Sequence, residues 1–386
     1  MREQELSGQR RTADVVVVGG GVIGLAVARA LALRGVGRVM LCESGRLGAE
    51  ASSAAGGMLA VQAEADEADA FLELATKSRE MYSSFAVALR EETGIDIELE
   101  ETGTLYLAFN ERDEAEIEHR YGWQSRAGLR VEKLTAEEAR RIEPSLSPEV
   151  RGALRFPLDV QVENRRLLAA LVAAAEKYGV DLWTNTRVAS VSIERGRVAG
   201  VETSRGFIST PLVVLACGAW LSLINSEGGA LPHISIEPVR GQMLCFEARQ
   251  SVTRHVIYSP RGYLVPRLDG RLLAGSTTEH AGFDKSVTGA GVHTIMEHAL
   301  EIAPAVGGLA LADMWAGLRP RATDELPVIG PCSETRGLFY AAGHYRNGIL
   351  LAPVTGELIA DALMQTSPPP LLDAFTPDRF MSASTV

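Results

Sequence analysis

The chain has 386 residues, 46% hydrophobic and 23% charged, a length that suggests two domains or one large α/β domain carrying an insertion. Its 49 acidic and 38 basic residues give a formal charge of −11, the wrong sign for sequence-independent capture of a nucleic-acid backbone or an anionic lipid surface. Neither nucleic acid nor membrane is therefore expected as a partner.

Met1 to Ala13 is polar and mixed in charge, lacks the apolar core of a secretory signal, and reads as a loose tail. Asp14 to Val18 is a β-branched run ended by three glycines, as in a parallel strand buried on both faces. The period then switches, so that Val22 to Leu33 reads as a helix and Arg38 to Glu43 as the next strand, completing a βαβ unit. Arg29, Arg34 and the glycines argue against a membrane span at Val15 to Val36. Downstream the spacing predicts helices around Phe71 to Glu92, Asn164 to Tyr178 and Asn347 to Met364. Strand-rich passages are predicted around Val188 to Ile208 and Ile236 to Ala274, and Pro368, Pro369 and Pro370 read as a terminator.

Short strands far from the opening unit imply a second, antiparallel sheet inserted into the nucleotide fold. The expected architecture is α/β, a Rossmann-type cofactor domain with an inserted antiparallel-sheet substrate domain. Its expected boundaries are 14–90, 150–230 and 318–373 for a discontinuous cofactor domain, 91–149 and 231–317 for the substrate domain, and tails at 1–13 and 374–386. Cys42, Cys217, Cys245 and Cys332 show no C-x-x-C spacing and lie mostly in apolar runs, as reduced thiols of a cytoplasmic protein would. The histidines form no metal-binding spacing, and no metal is expected.

Gly19-Gly20-Gly21-Val22-Ile23-Gly24 fits G-x-G-x-x-G directly after a strand and before a helix, and Glu43 follows at about the 20-residue interval of a dinucleotide fingerprint. Gly19 permits the tight turn, Gly21 lets the backbone approach a pyrophosphate, and Gly24 allows close helix–strand packing. The helix N-terminus at Val22 and Ile23 supplies free N–H donors, and Glu43 can accept from ribose hydroxyls. The pattern alone does not separate FAD from NAD. After Glu43 and Ser44 comes a run of small residues, including Ser52, Ser53, Ala55, Gly56, Gly57 and Met58, able to lay many backbone donors against a flat polar ring.

That run resembles the flavin-contacting stretch of the D-amino-acid oxidase superfamily, whose fold is shared with glutathione reductase-like proteins. Val213 to Trp220, with Cys217, Gly218 and Trp220, resembles the strand and turn that return to the FAD domain. Gly343-His344-Tyr345-Arg346-Asn347-Gly348, continuing through Ile349 and Leu350, resembles the family's C-terminal flavin motif. The resemblance implies FAD held by these residues and by Val188. It implies noncovalent attachment, because no cysteine falls where sarcosine oxidases tether their flavin. A helix beginning at Asn347 or Gly348 would offer partial positive charge to the reduced flavin, and His344 is expected to have a structural role.

Trp315 to Pro320, running on to Gly330, resembles the glycine-oxidase segment whose arginine holds the substrate carboxylate, here Arg319. A guanidinium suits that task because its rigid fork pairs both oxygens and never loses its charge. By the same resemblance Tyr263 gives a second carboxylate contact, Arg346 sits near the mouth of the site, and Thr278 departs from a family methionine, altering pocket size and polarity. No general base is required, since a neutral amine can pass its α-hydrogen to flavin as hydride once held in line.

The resemblance implies oxidative deamination of glycine and other small amines, with O2 as acceptor and hydrogen peroxide as product. The imine would feed thiamine thiazole synthesis or hydrolyse to glyoxylate and ammonia. Thiazole synthase as a partner and a homo-oligomeric state complete the expectations. Alternatives are a broader D-amino-acid or sarcosine-type oxidase, an amino-acid dehydrogenase with a quinone acceptor, and a noncatalytic FAD-stabilised subunit of an oxidase complex.

Overall fold

The computed structural model describes residues 11–229, 231–232, 234–248, 252–364 and 370–380. His233, Pro368 and Pro369, together with residues 1–10 and 381–386 of the expected tails, lie outside the described residues.

The cofactor-side sheet has six strands in the order Val328–Pro331, Leu338–Ala342, Val213–Leu215, Val15–Val18, Val39–Cys42 and Asp181–Trp183. All pair in parallel except Val328–Pro331, which runs antiparallel to Leu338–Ala342. The β-branched opening run has a physical reason, because both its faces are covered. Val15 and Val17 pack with the helices Val22–Leu33, Ala70–Thr93, Asn164–Lys177 and Gly348–Met364. Val16 and Val18 pack instead with Val191, Val201 and Ile208 of a five-stranded sheet on the opposite face. Each such valine, fully removed from water, contributes roughly 1.5–3 kcal/mol.

The third large sheet has eight strands, in the order Ala310–Ala322, Ile236–Glu247, Arg271–Gly275, Tyr263–Pro266, Val256–Tyr258, Thr104–Ala108, Gly152–Phe156 and Glu132–Thr135. It is antiparallel except where Val256–Tyr258 meets Thr104–Ala108. Alternation decides its faces. Leu244, Phe246, Leu264, Leu272 and Ala274 pack under the helix Gly289–Ile302, whereas Met243, Cys245, Val265 and Leu273 pack on the other face with Met58, Tyr263 and Trp315.

Two segments depart from the chain-order reading. Arg11–Thr12, read as tail, pairs in parallel with Ile208–Ser209, and Phe375, also in an expected tail, is fully buried. All four cysteines are free, and three of them are buried. Among the described residues no helix is long and apolar enough to cross a membrane, and no cluster of side chains could hold a metal ion.

Candidate active site

A continuous cavity of about 700 Å³ runs from the glycine turn to the apolar face of the eight-stranded sheet. Of the residues expected at a cofactor, Gly19, Gly21, Val22, Ile23, Glu43, Ser44, Ser52, Ala55, Gly56, Gly57, Met58, Val188, Cys217, Gly218, Trp220, His344, Tyr345, Arg346, Gly348 and Ile349 line it. Gly24, Ser53, Asn347 and Leu350 lie outside the lining. Arg319, Tyr263 and Arg346 line its other end, whereas Thr278 is exposed beside it and touches it only through a 3.5 Å hydrogen bond from Arg346 Nη2 to its hydroxyl.

At the nucleotide end Gly19 turns with φ +110°, a left-handed conformation a side chain would strain. A Cβ on Gly24 would stand 1.9 Å from the carbonyl oxygen of Gly19, so the helix can approach the strand only with glycine there. Leu25 N–H opens the helical ladder to Gly21 O, leaving the preceding amides without intrahelical acceptors. One of them, Val22 N–H, donates to Ser52 Oγ at 3.0 Å, which places the small-residue run directly over the helix N-terminus. The Glu43 carboxylate accepts from Gly20 N and Gly45 N, both at 2.7 Å, and so fixes the turn while still facing the cavity.

The carbonyls of the small-residue run are held by other side chains. Asn164 donates to Ser52 O and Ser53 O, Trp315 to Ala54 O at 3.0 Å, and buried Arg267 to Gly56 O at 2.8 Å. The backbone is thereby pinned before any ligand arrives, which lowers the entropy cost of binding one.

The helix Gly348–Met364 begins at the far wall of the cavity. Buried His344 sits just before it, its Nε2 3.0 Å from Thr355 Oγ1, and burial pushes its pKa down to about 3. It is therefore neutral at physiological pH and braces the turn against the helix it precedes. Burial likewise pushes the Cys217 thiol up to about 12, too high for a thiolate nucleophile at neutral pH.

At the other end Arg319 is half-buried. Its Nη2 donates to Ser276 Oγ at 2.6 Å and its Nη1 to Thr277 O at 3.1 Å, both neutral acceptors, and it makes no ion pair among the described residues. A guanidinium so placed keeps its full attraction for a carboxylate. Tyr263 points its hydroxyl at Met243 Sδ, 3.2 Å away, a weak acceptor that a better one would displace. Its ring stacks on Tyr258, with centroids 6.1 Å apart.

Several lining residues escaped the sequence reading, among them Glu64, Met243, Ser276 and the Glu50–Lys285 ion pair at 2.8 Å. None stands in a spacing that signals a site. They meet because the strand Ile236–Glu247, the loop after Arg271–Gly275, the turn Val61–Glu64 and the segment before Ala51–Ala54 converge on one cavity.

The fold and cavity define a protein built to hold a dinucleotide against a second, sheet-lined chamber. The sequence model of the family described as FAD dependent oxidoreductase matches residues 14–362, and the chain belongs to that family. It is 39% identical to the glycine oxidase of Geobacillus kaustophilus, over 90% of this chain and 92% of that one. It is 35% identical to the bifunctional protein ThiO/ThiG of Trichormus variabilis, over 97% of this chain but only 56% of that protein. The crystal structure of the Geobacillus kaustophilus glycine oxidase superposes with a TM-score of 0.90 at 37% identity, covering 96% of this chain and 99% of that one. FAD is the family's cofactor, and the lining suits it: the glycine turn could take the pyrophosphate, Glu43 could accept from ribose hydroxyls, and the pinned small-residue run could hold a flat ring.

Proposed function

We propose that this protein is a glycine oxidase, deaminating glycine and other small amines with FAD and O2. The observation that carries the reading is Arg319: a half-buried guanidinium with only neutral protein partners, in a cavity that the glycine turn and Tyr263 also line. Relatives named glycine oxidase, similar over nearly their whole length, support it.

Bound FAD supplies the chemistry of accepting a hydride from the substrate's α-carbon and returning the electrons to dioxygen, with hydrogen peroxide as product. The protein's part is positioning. Arg319 grips both carboxylate oxygens, Tyr263 turns its hydroxyl from Met243 to a carboxylate oxygen, and Arg346 completes the charge at the mouth. Gly56 and Tyr263 approach so closely that a Cβ on Gly56 would lie 3.4 Å from the ring, which brings the carboxylate grip beside the proposed flavin wall. Gly348, at the start of its helix, directs backbone N–H groups and the positive end of the helix dipole into the cavity.

The imine product would feed a thiazole synthase for thiamine, or hydrolyse to glyoxylate and ammonia. Supporting the first fate, this chain matches about half of a bifunctional relative. A cytoplasmic location, consistent with four free cysteines, and homo-oligomerisation belong to the same proposal.

The test is peroxide release by the purified holoenzyme against glycine, sarcosine, D-alanine and a bulky D-amino acid. Turnover of glycine and sarcosine with little on the bulky substrate is expected, and turnover confined to bulky D-amino acids would overturn it.

A further inference from the structure

The cavity holds a carboxylate that the grip on the substrate does not require. Glu64 closes the short turn Val61–Glu64, and that turn is fixed by Asp159, which accepts from Gln62 N and Ala63 N at 2.9 Å. The Glu64 side chain is 16% exposed and lines the cavity. Tyr258 donates its hydroxyl to Glu64 Oε1 at 2.9 Å, while Oε2 faces Arg346 Nη1 at 3.8 Å, an ion pair too long for a hydrogen bond. The Tyr258 ring is stacked between Tyr106 and Tyr263, so Glu64 cannot easily turn away from the site.

Charges at this end then count simply. Arg319 and Arg346 bring two positive charges and Glu64 one negative, a net of +1. Glu50 and Lys285 neutralise each other in their own ion pair, and the remaining charged lining residues, Glu43 and Arg187, offset each other at the nucleotide end, where Thr186 N donates to Glu43 O. A substrate with one carboxylate and a neutral amine brings the count to zero. A dianionic acid leaves a surplus negative charge in a half-buried site, where it is poorly screened.

We propose that Glu64, through its contacts with Arg346 and Tyr258 inside the cavity, is a specificity-determining residue that restricts the site to amines carrying a single carboxylate. This rests on the proposed reading of Arg319 as the carboxylate grip. Glu64 need not touch the substrate; it sets how much positive charge Arg346 has left to offer.

The test uses the FAD-loaded enzyme and the flavin absorbance shift on titration with glycolate, a monocarboxylate, and malonate, a dicarboxylate. Glu64→Gln keeps an acceptor for Tyr258 and removes the charge, and is expected to improve malonate binding relative to glycolate by about tenfold. Tyr258→Phe removes the hydrogen bond but not the charge and is expected to leave the ratio near the wild-type value. Arg346→Gln, which lowers the count to zero, should move the ratio the other way, and it reads the same balance if the Glu64 variant fails to fold. A ratio unchanged in both charge variants, or shifted equally by Tyr258→Phe, overturns the inference. If neither acid perturbs the flavin of the wild type, the carboxylate grip itself falls and this inference with it.

Discussion

Replacing Arg319 by alanine removes a cavity guanidinium that rests on neutral oxygens. Each hydrogen bond to a charged partner is worth about 1.5–3 kcal/mol, so losing both arms of a bidentate grip costs roughly 3–5 kcal/mol of substrate binding. At 1.4 kcal/mol per factor of ten, the glycine KM should rise by about 10²-fold to a few thousandfold. Ser276 Oγ and Thr277 O lose a donor too, but Ser276 lines the cavity and Thr277 is half-buried, so water can replace it and folding stability should fall by only about 1 kcal/mol. The nucleotide end is untouched, and FAD should remain bound. Arg319→Lys restores the charge without the fork and should recover only part of the loss. The assay is steady-state kinetics over a wide glycine range, with the flavin spectrum recorded to count loaded enzyme. A KM within threefold of wild type in a fully loaded Ala variant would refute the assignment.

Gly24→Ala places a methyl carbon 1.9 Å from Gly19 O, and the glycine turn must shift to admit it. The purified variant is expected to lose bound FAD, read as the ratio of flavin to protein absorbance; a fully loaded variant would contradict the packing argument. His344 offers a pH dependence. Its pKa falls from 6.5 to about 3 in the fold because burial disfavours the charged ring. The unfolded chain therefore binds the extra proton first, and the stability this residue contributes is complete above pH 6.5 and declines as the pH drops toward 3. The difference in thermal stability between wild type and His344→Gln should shrink over that interval, and a difference constant with pH would contradict the burial account.

What the sequence revealed depended on whether the information was local. The opening βαβ unit was legible because Val15–Val18 is buried on both faces and the glycines mark the switch in period. The helices Ala70–Thr93 and Gly348–Met364 were likewise readable from their spacing. The helix Glu111–Arg126 was not, because its inward face is partly polar, with Asp113, Arg120 and Gln124 buried alongside Ile117 and Trp123. The strand Ala310–Ala322 was hidden for another reason. Its first five residues are exposed, and its partner is the distant strand Ile236–Glu247.

Most residues expected from recognisable motifs line the cavity, whereas Gly24, Ser53, Asn347 and Leu350 do not. Gly24 acts through packing. Thr278 was expected to shape the pocket and instead sits exposed, within 3.5 Å of Arg346. Glu64 was missed because its meaning comes from Tyr258 and Arg346, which only the folded chain brings to it.

Whether glycine delivers electrons to the flavin is tested by anaerobic addition of glycine to the purified holoenzyme while the flavin spectrum is followed. Bleaching of the oxidised flavin is expected, with full recovery and peroxide formation when air is admitted. A flavin that stays oxidised under saturating glycine would contradict it.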